Sequence, residues 1–250
     1  MKGGEICCLS KLSSSLFCLQ MSLPAALPVH PGGVKCLWLI RHGQAVHNVA
    51  AARVGRAAYE NPEFRDAELT DEGRAQARHI RANAGVHGLA EVQLVLTSPL
   101  HRACETAMAI FEAETAASDR QPAAPPCLAV EMAREAYGIH FCDSRRSVSE
   151  LRAAFPAVDF SLVGSDEDTW WQPDARETLA DVARRAKKLL QFIWTLQATN
   201  IAIVSHGVFL ETLLSAATSA HPSLTENRFG NAEVRVIALV KSPIIEEAGS

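Results

Sequence analysis

The chain has 250 residues, 48% of them hydrophobic and 21% charged, with a formal net charge of −4. This is the composition of a soluble globular domain with enough chain for a substantial core, and it excludes binding to nucleic acid or acidic membranes through bulk charge. No uninterrupted apolar run approaches the ~20 residues that a bilayer-spanning helix needs. Seven scattered cysteines without a C-x-x-C pair suggest neither a disulfide framework nor a zinc site, so a reducing, cytoplasmic setting is expected.

Residues 1–34 are rich in Ser, Leu and Cys, then in Pro and Gly, and read as a flexible N-terminal extension to a single domain over 35–245. A signal or transit peptide is a weaker reading, since Lys2 and Lys11 are the only basic residues before Lys35 and no clean apolar core of signal length is present. Acylation at Cys7 or Cys8 has no adjacent anchor to support it. Met21 offers an alternative start.

The first organised stretch is Lys35–Asn48. Cys36 to Ile40 read as a buried strand of a parallel sheet, running straight into Arg41-His42-Gly43. Gln44 to about Arg56 is Ala-rich and helix-compatible, and residues 57–68 look like a loop broken at Pro62. Thr70 caps a helix expected to reach about Asn83, with Asp71 and Glu72 in its first turn where the helix dipole favours them. Val92–Thr97 is the next strand, followed by Ser98-Pro-Leu-His-Arg102, a helix to about Glu114 and a loop over 115–126. Leu128–Glu131 resembles a short strand, and Ser147-Val-Ser-Glu150 spells a capping box before a short helix ending at Pro156. Residues 159–174 read as an irregular lid or surface loop. Thr178 opens the longest helix, about Leu179–Ala198, with apolar residues near helical spacing. Ile201–Ser205 is a strand ending in His206-Gly207, with a helix behind it to about Ala217, and Glu233–Val240 is the last strand. Strands alternating with helices predict a three-layer α/β/α sandwich around a mostly parallel sheet.

Two strands of that sheet end in His-Gly, at the edge where open α/β sheets bind ligands. A guanidinium and an imidazole side by side there suit an anionic, tetrahedral ligand. Arginine offers a planar fork that holds two phosphate oxygens at once, which makes Arg41 and Arg102 candidate clamps. A neutral imidazole can attack phosphorus, which makes His42 a candidate nucleophile.

Arg41-His42-Gly43 with Asn48, Leu69-Thr70-x-x-Gly73, Ser98-Pro-Leu-His-Arg102 and Val204-Ser-His-Gly207 follow one another as the motifs of the histidine phosphatase superfamily do. The chain resembles that family, also called phosphoglycerate mutase-like, over roughly residues 35–240. The resemblance implies a phosphohistidine on His42 and phosphate contacts from Arg41, Asn48 and Arg102. It further implies a contact between His206 and the transferring phosphoryl group, with backbone N–H groups at the Gly207 turn aimed towards it. A glutamate in an Arg-Glu-x-x-Gly pattern serves relatives as general acid, and Glu135 in Arg134-Glu-Ala-Tyr-Gly138 matches it, although Ala133 stands where relatives carry Leu. Glu131 is the alternative acid and Asp143 a third.

The opening Arg-His-Gly-Gln-x-x-His-Asn and the stretch Arg134-Glu-x-x-Gly-x-x-x-Cys-Asp-x-Arg-Arg-Ser147 resemble the compact phosphatase-like members of plants, fungi and protists. The longer basic insertion of glycolytic mutases is not found. A metal-independent phosphomonoester hydrolase is therefore the first expectation, a phosphoglycerate mutase-type transferase the second, and a non-catalytic phosphate-binding regulatory module the third. The expected partner is a small phosphorylated substrate, or a phosphoprotein, with no nucleic acid and no membrane; the oligomeric state stays open. No cofactor is implied, and the nine histidines form no ligand-spaced metal cluster. His47 reads as a surface residue at the entrance. Arg145-Arg146 read as a solvated pair or as a site for a second anionic group.

Overall fold

The structure is a computed structural model that describes residues 33–112, 124–218 and 228–240. Residues 1–32 of the expected extension over 1–34, most of the loop over 115–126 and the domain end at 245 lie outside the described residues.

Six strands form one sheet: β1 (Val34–Arg41), β2 (Leu94–Thr97), β3 (Cys127–Ala129), β4 (Val158–Asp159), β5 (Asn200–Ser205) and β6 (Val234–Val240). Their order is β4-β3-β2-β5-β1-β6, parallel throughout except for β6, which runs antiparallel to β1 at one edge. Strand β1 starts one residue before the expected domain boundary. The two-residue β4 meets the stretch read as irregular at Asp159 alone; it is too short for any periodicity to announce it.

Seven helices complete the described residues: α1 (Val46–Val54), α2 (Asp71–Ala82), α3 (Ala84–His87), α4 (His101–Phe111), α5 (Val148–Ala154), α6 (Leu179–Thr195) and α7 (Gly207–Thr218). The expected loop after α1 is instead two short 3-10 turns, Gly55–Glu60 and Pro62–Phe64. Alternation along β1 sorts the layers. Trp38 and Ile40 pack with Ala77 and Ile80 of α2, Ala103 and Ala107 of α4 and Leu151 of α5. Leu37 and Leu39 pack on the opposite face with Val182 and Leu189 of α6 and Leu210 and Leu213 of α7. A central strand buried on both faces needs an apolar residue at every position, and Leu37 to Ile40 supply it.

Two expected caps are present. Thr70 Oγ1 accepts Gly73 N–H at 3.0 Å, and Ser147 and Glu150 exchange side-chain bonds with each other's backbone N–H. Gly73 also explains the Leu-Thr-x-x-Gly step, because a Cβ there would overlap the Gln44 carbonyl oxygen. A Cβ at Gly43 would meet the Gly73 carbonyl in turn. The turn after β1 and the first turn of α2 are thus packed backbone against backbone, which only glycine permits at either position.

Candidate active site

The parallel register brings three strand ends together. Arg41 is level with Ser205, and Thr97 with Val204, so His42, Ser98 and His206 leave the sheet side by side. Backbone bonds tie these exits: His42 N–H donates to Ser205 O at 2.9 Å and Ser98 N–H to Val204 O at 3.0 Å.

His42 is buried, and its Nδ1 lies 2.7 Å from the carbonyl oxygen of Gly43. A carbonyl only accepts, so the ring proton sits on Nδ1 and Nε2 carries the lone pair. Arg102 Nε–H donates to that Nε2 at 3.2 Å. Burial first, then the charges of Arg102 and Arg41, hold the His42 pKa well below 6.5, so the ring is neutral near pH 7. The His206 ring is 5.0 Å from it and is held neutral in the same way, by burial and then Arg102.

His206 Nε2 lies 2.8 Å from Ser98 Oγ, which already accepts Leu100 N–H. The serine hydroxyl can donate to Nε2, and in that arrangement the imidazole proton stands on Nδ1. His206 Nδ1, Arg41 Nε and His47 Nδ1 are buried without a protein partner. Buried donors left unpaired are costly, and those of Arg41 and His206 beside the His42 ring suit an anion, while the one on His47 suits any oxygen acceptor.

Arg102 enters from the first turn of α4 and is almost wholly buried. Besides His42 it donates to Cys142 O at 2.6 Å and to Asp143 Oδ1 at 2.9 Å. Asp143 is buried too; contacts with His140, Arg102 and Arg176 outweigh the effect of burial and keep it ionised. Arg41 donates through Nη1 to Phe229 O at 2.6 Å. A Cβ at Gly207 would stand 3.6 Å from Arg41 Nε, so the bare glycine borders the guanidinium.

Glu135 is half-buried and sits against the first turn of α7. Its Oε1 accepts Ala136 N–H at 3.0 Å and Phe209 N–H at 3.1 Å, and Oε2 accepts Val208 N–H at 3.1 Å. Two of the helix N–H groups expected to face a phosphoryl group are therefore taken by this carboxylate. Burial raises the Glu135 pKa and Asp143 adds to it, while the backbone bonds oppose the shift. Arg185 on α6 fixes the same segment, donating to Met132 O, Arg134 O and Glu135 O.

Other expected residues fall elsewhere. Glu131 is spent on Arg134 and Arg145 at 3.1 Å each, deep in a buried ion network. Asn48 uses Oδ1 to accept Ala45 N–H at 3.0 Å, capping α1, and Nδ2 to donate to His47 Nε2. His47 is not a surface residue: it is 4% exposed, with its ring 6.1 Å from His42, because α1 folds back beside the His42 turn. Arg145 is not solvated either. It is fully buried between Glu131 and the carbonyls of Ser165, Asp166 and Glu167, which a 20-residue excursion of chain delivers to it. Arg146 pairs with Glu68 at 2.8 Å. Ser98, Tyr59, His140 and Arg176 carry no signal of their own in the sequence, since their partners are remote.

Fold and site together define a three-layer α/β protein with two buried histidines beside two arginines at the carboxyl edge of its sheet. A family model for the histidine phosphatase superfamily (branch 1) matches residues 37–242. Phosphoglycerate mutase-like protein 1 of Arabidopsis thaliana is 37% identical over 230 residues, covering 82% of this chain and 81% of its own length. A second Arabidopsis phosphoglycerate mutase-like protein is 40% identical over 202 residues, covering 73% and 74%. Among solved structures, Bacillus stearothermophilus YhfR superposes with a TM-score of 0.51 at 24% identity, over 80% of this chain and 89% of that one, which bears on the fold alone. The chain belongs to the histidine phosphatase superfamily.

No described helix is long and apolar enough to cross a membrane. Cys36, Cys104, Cys127 and Cys142 are free thiols.

Proposed function

We propose that the protein hydrolyses small phosphomonoesters through a phosphohistidine on His42, in a cytoplasmic setting and without a metal ion. The observation that carries this reading is the His42 tautomer: the proton is held on Nδ1 by Gly43 O, and the Nε2 lone pair stands against Arg102. In the first step that lone pair attacks phosphorus while the P–O bond to the leaving group breaks. Attack requires Arg102 Nε to exchange His42 for phosphoryl oxygens, where Arg41 Nε and His206 Nδ1 join it. These donors stabilise charge on the transferring group, which is most of what phosphoryl transfer asks of a protein.

The departing alkoxide takes a proton from Glu135, whose raised pKa favours the protonated acid. In the second step the Glu135 carboxylate accepts a proton from water as the water oxygen attacks phosphorus and the P–N bond breaks. Phosphate leaves, and His42 and Glu135 return to their starting states. Activation of the nucleophile by burial and tautomer leaves no step that calls for a divalent ion.

The test uses purified protein with EDTA on p-nitrophenyl phosphate, and on 3-phosphoglycerate with and without 2,3-bisphosphoglycerate. Phosphate release that survives EDTA and falls by about 10⁴-fold or more in His42→Ala is the expected result, the scale on which lost covalent nucleophiles register. Interconversion of phosphoglycerates without phosphate release would replace hydrolysis by mutase chemistry. Phosphate binding without either activity would leave a regulatory module.

A further inference from the structure

A closed circuit of contacts starts and ends at the nucleophile. The His42 ring neighbours His47 at 6.1 Å, His47 neighbours Tyr59 at 5.8 Å, and Tyr59 neighbours His140 at 5.1 Å between centroids. His140 Nδ1 is 3.6 Å from Asp143, Asp143 pairs with Arg102 at 2.9 Å, and Arg102 returns to His42 at 3.2 Å. His42, His47 and His140 are buried and Tyr59 is half-buried, so the arm reaches the surface at Tyr59, its middle ring.

Building on the phosphatase reading, we propose that the His47–Tyr59–His140 arm is the leaving-group subsite, and that it selects phosphomonoesters of uncharged, ring-bearing alcohols over those whose leaving group carries a carboxylate or a second phosphate.

Three observations support this. Tyr59, half-buried between the two histidine rings, offers an aromatic ring at the surface, which favours another ring over a short polar chain. The arginines on the Asp143 side of the arm are already engaged. Arg102 and Arg176 share Asp143, Arg134 is bound to Asp168 and Glu131, Arg145 to Glu131, and Arg146 to Glu68. An acidic leaving group would meet the ionised Asp143 with none of these five arginines released to receive it. Finally, Asn48 Nδ2 donates to His47 Nε2, so the neutral His47 ring carries its proton on Nδ1, a buried donor without a protein partner. A neutral hydroxyl or ether oxygen on the leaving group would satisfy it.

The arm is also braced. Trp171 Nε1–H donates to His140 O at 2.9 Å, His140 N–H to Gly138 O at 2.7 Å, and Asp66 N–H to Phe141 O at 3.4 Å. A subsite held from several elements discriminates by shape better than a loose loop does.

The experiment compares benzyl phosphate, ethyl phosphate and 3-phosphoglycerate on the wild type, Tyr59→Ala and Tyr59→Leu; the last keeps bulk without a ring. Benzyl and ethyl alcohols are similarly poor leaving groups, so their ratio reads the subsite. The wild type is expected to favour benzyl over ethyl phosphate by about tenfold in kcat/KM, the scale of one aromatic contact. Both variants should bring that ratio to within about twofold of unity, chiefly through KM for the benzyl ester. An unchanged ratio in both variants, or a wild-type preference for 3-phosphoglycerate, overturns the proposal. Calorimetry with the inert benzylphosphonate and ethylphosphonate runs alongside. If no ester is turned over but benzylphosphonate binds more tightly in a Tyr59-dependent way, the subsite stands and the hydrolase reading falls. Equal binding of the two phosphonates sinks the subsite whatever the activity.

Discussion

Arg102 and Arg145 are both almost wholly buried arginines within one domain, yet their surroundings differ in kind. Arg145 ends in a finished network: Glu131 on Nε, the carbonyls of Arg146 and Asp166 on Nη1, and those of Ser165 and Glu167 on Nη2. Arg102 instead leans on a neutral imidazole, and the donors near it on Arg41, His47 and His206 are left unpaired. A guanidinium that has spent its donors on protein holds structure together. One that leans through Nε on a neutral imidazole keeps a partner it can exchange, as the proposed phosphoryl transfer requires. Burial alone therefore does not separate a structural arginine from a proposed binding one; the kind of partner on its Nε does.

The sharpest way to break that contrast is Arg145→Met. It would leave Glu131 with Arg134 alone and several buried carbonyls without a donor. Removing one partner of a buried ion pair costs about 3–5 kcal/mol. The loss should appear as a lower urea midpoint, with kcat per folded molecule unchanged. A large fall in kcat at unchanged stability would mean that Arg145 belongs with Arg102.

The two glutamates provide the next test. Glu135→Gln should lower kcat on benzyl phosphate by about 10²–10³-fold, the usual range for a lost general acid. On p-nitrophenyl phosphate, whose leaving group needs no proton, the fall should be smaller. Its stability cost should stay near 1 kcal/mol, since one amide oxygen still accepts backbone N–H while the amide nitrogen cannot. Glu131→Gln should do the reverse, weakening the Arg134–Arg145 network and sparing the chemistry. Exchange of these two outcomes would reassign the acid.

The difference between the regions also explains what could be read from the chain. His42, Arg102 and His206 stand next to strand ends and glycine turns, and local apolar runs announce those. Thr70 with Gly73 and Ser147 with Glu150 declare their helix starts within four residues. Arg145 offers no such sign, because the carbonyls that bury it arrive from residues 165–167. His47 lies on α1, whose apolar face is too weak to show which side turns inward, so its burial follows only from the packing of Tyr59 and His42 around it. Asp143 could be seen as a carboxylate but not as the partner of Arg102, which is 41 positions away. Sequence patterns of short range disclose the strand-end chemistry; the ion network and the aromatic arm depend on long-range closure.

Acid titration sharpens the contrast further. Burial first, then Arg102, lowers the His47 pKa from 6.5 to about 3. The unfolded chain binds that proton first as pH falls, so the stability from a neutral His47 is complete above pH 6.5 and drains away towards pH 3. One pKa unit is worth 1.36 kcal/mol, which makes the loss about 3 kcal/mol by pH 4. In His47→Gln, the stability difference from the wild type, measured by urea unfolding, should shrink by about that amount between pH 7 and pH 4. A difference that stays constant across that range would place His47 in a more solvated setting than the packing implies.

The smallest expected effect is that of Thr70→Ala, at the seam where scaffold and site meet. Thr70 Oγ1 accepts Gly73 N–H at 3.0 Å and lies 2.9 Å from Gln44 Oε1. Gln44 follows the His42-Gly43 turn, and Gly43 and Gly73 meet backbone to backbone. Loss of the cap should cost about 1 kcal/mol, a typical figure for Ser or Thr at a helix N-cap, and Thr70→Ser should recover most of it. The His42 turn has independent anchors in Ser205 O and in Thr106 Oγ1, which accepts Gly43 N–H at 3.1 Å. For that reason kcat should change by less than about twofold, within the spread of surface substitutions. A tenfold fall in kcat in Thr70→Ala, reversed in Thr70→Ser, would show that the cap positions the nucleophile, and would move the first turn of α2 from the scaffold side of the comparison to the chemical side.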